Sequence, residues 1–107
     1  MSEEKNYLSL PLRKFLEDTA AKSPTPGGGS VAALVGSLSC SLGCMVLRFT
    51  IGKPQFAQHE PHLNELLSTL TQAAEKFTGL MVDDMRAYEG LRAAAKAEPA
   101  VREQASL

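Results

Sequence analysis

The sequence is short of strand signals, of cysteine and of net charge. Strand signals are almost absent: no segment alternates strictly between apolar and polar residues, and the β-branched residues are scattered. That argues against a sheet-based fold and leaves helices. Only two cysteines occur. Cys40 and Cys44 lie one helical turn apart in an apolar run, which suits buried reduced thiols better than a disulfide framework. A reducing, cytoplasmic setting is the expectation. The net charge is −1 over 107 residues, with no Lys/Arg block, so neither nucleic acid nor an anionic membrane surface is an expected partner. The polar, acidic stretch from Met1 to Tyr7 does not resemble the basic start of a signal peptide. One domain spanning 1–107 is expected, with 1–8 and 98–107 flexible.

What is present is helical periodicity. A first helix is predicted over Leu10 to Ala21, with Pro11 in its first turn. Leu12, Phe15, Leu16 and Thr19 form its apolar face. Pro24-Thr25-Pro26-Gly27-Gly28-Gly29 breaks it, and Ser30 reads as the N-cap of the next helix. That second helix is predicted from Val31 to about Ile51, with Gly52 at its C-terminus and Pro54 preventing resumption. No residue from Val31 to Leu47 is charged, and many are small. Glycine inside a helix costs about 1 kcal/mol relative to alanine, so Gly36 and Gly43 call for a compensating close approach. Positions 33, 36/37, 40, 43/44 and 47 form the lane where a neighbouring backbone would come near. A third helix is predicted from Pro61 to about Ala97. Its buried stripe is expected to run through Leu63, Leu66/Leu67, Leu70, Ala73/Ala74, Phe77, Met81, Asp84, Tyr88 and Leu91.

These elements make an all-α protein, a three-helix antiparallel bundle fragment with a long buried central helix. Two amphipathic helices cannot surround a helix that is apolar on every side. The expected remedy is a homo-oligomer, a dimer or higher, joined through the second helix. A membrane span is the competing reading of that helix, but its serines and glycines dilute the hydrophobicity and no aromatic belt flanks it. No membrane is expected.

Four constellations could carry chemistry. Gly27–Ser30 at a helix start could present backbone N–H groups to an anion, or could simply be a tight connection. No Lys follows and no strand precedes, so it is not a nucleotide P-loop. Asp84 falls in register with Phe77, Met81 and Tyr88, where a carboxylate pairs, protonates or does chemistry; a rim position or an ion pair is the plain alternative. Tyr88, one turn away, is a hydrogen-bond partner or core. Lys53 either counters the helix C-terminal dipole or meets a substrate carboxylate. Cys40, Cys44, His59 and His62 match a zinc ligand count, but the cysteines sit in an apolar helix and the histidines in a polar loop, so no metal is expected.

The run Phe15-Leu16 followed by Ser23-Pro24-Thr25-Pro26-Gly27-Gly28-Gly29-Ser30-Val31-Ala32-Ala33 resembles the opening of the cyclodeaminase domain of the formiminotransferase-cyclodeaminase family, which includes the methenyltetrahydrofolate cyclohydrolases. Met45, Thr50-Ile51-Gly52-Lys53 with Phe56, and Asp84 with Ala87-Tyr88 extend the resemblance in order along the chain. It implies an all-α domain, dimeric, with folate near the subunit interface and chemistry on the one-carbon bridge of formimino- or methenyl-tetrahydrofolate. Carried over, Asp84 is the catalytic carboxylate. Pro26, Gly27, Gly28, Gly29, Ser30, Lys53 and Tyr88 bind the substrate, with no cofactor beyond tetrahydrofolate itself. The family's domain is longer than this chain, and Pro54 stands where it more usually has a basic or polar residue. A non-catalytic helical assembly or folate-binding module is therefore the alternative function.

Overall fold

The computed structural model describes residues 6–97. Helix α1 covers Leu12–Ala20, α2 covers Gly28–Thr50, a 3-10 turn covers Pro54–His59, and α3 covers Glu60–Ala97. No strand occurs among the described residues. The all-α class and the three helices agree with the sequence.

Helices α2 and α3 form a long antiparallel hairpin, and the extensive packing in the protein is between them. The connection follows from its residues. Gly52 takes φ 96°, a left-handed conformation that costs glycine little, and Pro54 opens the 3-10 turn. Along the hairpin the small-residue lane of α2 faces α3 as expected: Ala33, Ser37 and Cys44 are buried, and Gly36, Cys40, Gly43 and Leu47 are half-buried.

The packing has a seven-residue register. A Cβ on Gly36 would lie 2.8 to 2.9 Å from three ring atoms of Phe77, and one on Gly43 would lie 2.8 Å from Leu70 Cδ1. One heptad earlier, a Cβ on Gly29 would lie 2.9 Å from Asp84 Oδ1. Each glycine thus receives a side chain of α3, and the inserted residues 70, 77 and 84 are also seven apart. Heptad spacing on both partners is what keeps two helices in contact along a seam.

The N-terminal segment closes one end of the hairpin. Phe15 of α1 joins Tyr7, Ala33, Met81 and Met85 in the buried cluster, with Val31, Leu34 and Phe77 against it. The Tyr7 and Phe15 rings meet edge to face at 5.2 Å, a favoured aromatic geometry. Tyr7 donates its phenol hydrogen to Asp18. Tyr7, within a stretch expected to be flexible, is anchored; 98–107 lies outside the described residues.

Two expectations need correction. Helix α1 buries only Phe15 of its apolar face, leaving Leu12 and Leu16 exposed, because it is nine residues long and meets the hairpin at one end. The second helix, by contrast, is left uncovered by its own chain as expected: Val35, Leu38, Leu42, Met45, Val46 and Phe49 are exposed, since α3 covers one side only. The α3 stripe turns beyond Met81 to Met85, while Tyr88 and Leu91 are exposed. There α3 has passed the start of α2, and its apolar neighbours are Tyr7 and Phe15. The radius of gyration, 19.6 Å, compares with about 13 Å for a compact chain of this size. One chain does not close a globular core.

Candidate active site

The glycine segment is where α2 begins, and it begins earlier than the sequence suggested. The N-cap is Gly27 and not Ser30, and Val31 N–H already bonds Gly27 O at 3.1 Å. Ser30 lies inside the first turn because its hydroxyl is engaged elsewhere. It has no exposed surface, and its Oγ lies 3.1 Å from Met81 O and 3.0 Å from Asp84 Oδ2. Before it, Thr25 and Pro26 are buried, and Ser23 Oγ donates to Thr25 O at 2.9 Å. The Thr25–Pro26 peptide is cis.

Asp84 therefore leans across α3 onto the first turn of α2. It is an exposed residue rather than the partly buried one its helical register suggested, yet one carboxylate oxygen is tied to Ser30. It occupies the register position where the next two rungs place Phe77 and Leu70. Of the three consecutive glycines, Gly29 alone is required by space: Gly28 has nothing within 4 Å of its Cβ position, and Gly27 has only ordinary contacts. An anion is thus already present at the glycine turn, and it belongs to the protein.

A groove of about 500 Å³ opens beside this carboxylate, lined by Gly29, Ala32, Ala33, Phe77, Leu80, Asp83 and Asp84. Its walls are mainly apolar with two carboxylates at one end, a composition suited to a flat organic molecule carrying an electron-poor centre. A second groove, of about 340 Å³, lies further along the hairpin among Ser37, Ser41, Cys44, Arg48, Thr71, Ala74, Glu75 and Thr78. Several of its hydroxyls serve helix carbonyls: Ser37 donates to Ala74 O, Thr71 to Leu67 O and Thr78 to Glu75 O. Those are packing bonds, which leaves the groove beside Asp84 as the candidate site.

The remaining sequence candidates do not all converge. Tyr88 is 43% exposed and is not part of the groove lining. Lys53 follows the far end of α2. The helix has 23 residues, so Lys53 stands about 34 Å along the axis from the glycine turn at 1.5 Å per residue. Cys40 and Cys44 are free thiols, and Cys44 Sγ lies 3.6 Å from Thr71 Oγ1. Among the described residues no three His, Cys, Asp or Glu side chains gather as a metal site. Sequence reasoning missed Met85 in the core and the heptad that links Gly29, Gly36 and Gly43.

The comparisons with known proteins bear on this geometry. The family model described as formiminotransferase-cyclodeaminase matches residues 11–106, which spans α1, the glycine turn, α2 and α3. The chain belongs to the formiminotransferase-cyclodeaminase family. It is 36% identical over 94 residues to formimidoyltransferase-cyclodeaminase of Gallus gallus, covering 88% of this chain and 17% of that protein. It is 34% identical over 83 residues to methenyltetrahydrofolate cyclohydrolase of Methylorubrum extorquens, covering 78% of this chain and 40% of that one. The Rattus norvegicus formimidoyltransferase-cyclodeaminase is 36% identical over 93 residues. The chain thus spans less than half the length of these relatives. No solved structure matches it.

Proposed function

We propose that this chain acts on a one-carbon derivative of tetrahydrofolate, the formimino or methenyl form, with Asp84 as the carboxylate beside the reacting carbon. The observation that carries the reading is Asp84 on the glycine seat at Gly29, a charged group where the rest of the seam places hydrocarbon. Family membership points the same way, since the relatives' names specify cyclodeaminase and methenyltetrahydrofolate cyclohydrolase.

The chemistry suits a fixed negative charge. In hydrolysis of the methenyl form, water adds to the cationic carbon, its proton passes to a base, and a carbon–nitrogen bond then breaks as nitrogen regains a proton. In cyclodeamination, N10 bonds to the formimino carbon and gives up its proton, the imino nitrogen is protonated, and its bond to the carbon then breaks as ammonia leaves. In both reactions the bridging carbon carries or develops positive charge while a proton moves beside it. A held carboxylate serves both needs, stabilising the charge and shuttling the proton. The apolar walls at Phe77, Leu80 and Ala33 take the pterin. Because Asp84 already occupies the glycine turn, the electron-poor bridge belongs there and the anionic glutamate tail points away.

The groove is open, and the exposed apolar face of α2 offers the means to close it. We read that face as the contact of a homo-oligomer, and a second copy laid antiparallel on it would bring a Lys53 towards this end. The face also has the length and hydropathy of a membrane span; the lane of small residues already filled by α3 favours the packing role. Sedimentation showing only monomers at micromolar concentration would remove this part. A cytoplasmic setting and the lack of any cofactor beyond tetrahydrofolate belong to the same proposal.

The test is the loss of methenyltetrahydrofolate absorbance with and without the protein, at a pH where the uncatalysed reaction is slow. Acceleration that falls by about 10²- to 10⁴-fold in Asp84→Asn is the expected outcome. Full turnover in that variant would overturn the assignment. The open groove also suits a non-catalytic folate-binding module, which would bind folate without any acceleration.

A further inference from the structure

We propose that Ser30 is a positioning residue for Asp84: its buried hydroxyl holds Oδ2 so that the carboxylate stays fixed over Gly29 through a change of protonation. The inference rests on the functional reading above but makes a separate structural claim. Ser30 has no exposed surface, so it reaches no substrate in this structure. Its Oγ has two neighbours, Met81 O at 3.1 Å and Asp84 Oδ2 at 3.0 Å. A hydroxyl has one hydrogen and two lone pairs, and a main-chain carbonyl can only accept.

Those limits define what the pair does. With Asp84 ionised, both neighbours are acceptors, and the single hydrogen of Ser30 turns to the carboxylate. Met81 O keeps its place in the α3 ladder meanwhile. With Asp84 protonated on Oδ1, Oδ2 still accepts from Ser30; with the proton on Oδ2, that O–H donates to Ser30 Oγ, and Ser30 donates to Met81 O. At most the hydroxyl rotates while the heavy atoms stay, so Oδ2 has a partner in every state. The other oxygen, Oδ1, is the one nearest the vacant Cβ position of Gly29, on a residue that lines the groove. Ser30 thus takes one oxygen and leaves the other for the reacting group. An aspartate on an exposed stretch of helix has free rotamers, and this bond selects one of them.

The experiment compares Ser30→Ala, Asp84→Asn and the double variant with the parent full-length chain. Turnover is followed with methenyltetrahydrofolate, and urea midpoints are measured on the same preparations. Ser30→Ala is expected to lower kcat about 10- to 100-fold, the worth of a hydrogen bond to a charged group, with KM within about twofold. Ser30→Cys, which keeps a weak donor, should fall between the two. The double variant should be no slower than Asp84→Asn, because Ser30 acts only through that side chain. An unchanged kcat in Ser30→Ala overturns the proposal. So does a rise in KM alone, which would make Ser30 a binding residue, and so does a multiplicative double variant. If the parent chain shows no turnover, the functional reading fails, and the stability cycle decides the positioning claim by itself: non-additive midpoints support it and additive ones overturn it.

Discussion

Substituting Gly29 by alanine separates the stability of the hairpin from the geometry of the site. The new Cβ would lie 2.9 Å from Asp84 Oδ1 and 3.2 Å from both Cγ and Oδ2, closer than an ordinary contact of about 3.5 to 4.0 Å. The obstacle is the end of a short exposed side chain, so the carboxylate can swing into water rather than push the helices apart. Alanine in a helix gains up to about 1 kcal/mol over glycine, and less in a first turn. The lost bond to Ser30 costs about as much for a carboxylate already solvated. These offset, and the urea midpoint should hold to within about 0.5 kcal/mol of the parent. Turnover should not hold, because displacing a reacting group by about 1 Å can cost around 10²-fold. Gly79→Ala is the control: its Cβ meets nothing within 4 Å, so it should gain stability and keep its rate. Wild-type turnover in Gly29→Ala would refute the claim that the seat of the carboxylate matters.

Two further predictions concern the fold. Gly36→Ala forces a Cβ against three Phe77 ring atoms, whereas Gly43→Ala meets a single methyl of Leu70 that can rotate away. The first should lose about 1 to 2 kcal/mol after the helix-propensity gain and the second should be near neutral, as read from denaturant midpoints. Tyr7 is pushed above the ordinary phenol range by burial, then by its hydrogen bond to Asp18 and the charges of Asp18 and Glu89. Its stabilisation is complete below the unfolded value, about 10, and is lost as pH rises towards the folded one. Tyr7→Phe should therefore cost about 1 kcal/mol at pH 7, with the difference from the parent shrinking between pH 10 and 11.5. A constant difference over that range would show that the phenol proton carries no such linkage.

The sequence made the helices legible because each signal was local. Pro11, Gly52 and Pro54 punctuate the chain where the structure turns, and the small residues of α2 marked the lane that α3 fills. Asp84 was legible as an unusual residue on an apolar register. Its exposure was not, because helical spacing locates a side chain around one axis and says nothing of where the facing helix ends. The same ignorance put Tyr88 and Leu91 in the core in place of Met85. Ser30 looked like an N-cap since serine before an apolar helix usually is one; the carbonyl and carboxylate that claim its hydroxyl come from 51 and 54 positions away. Lys53 joined the candidates through its neighbours in sequence, and the length of α2 then set it at the opposite end of the hairpin.

The heptad explains why Asp84 stands out of place on its seam. Three glycines at seven-residue intervals prepare three equivalent seats, and hydrocarbon fills two of them. Phe77 and Leu70 gain from leaving water, at about 25 cal/mol for each Å² of apolar surface covered. A carboxylate in the third seat gains nothing of that kind and gives up part of its hydration. A hairpin shaped only for stability would carry a third apolar side chain at position 84, next to a serine whose single hydrogen could then go undisputed to Met81. The sequence instead has a charge on that rung and a buried hydroxyl that serves it. Marginally stable proteins tolerate such departures where activity requires them. Here the departure lies beside the groove, at the end of the seam where α2 begins.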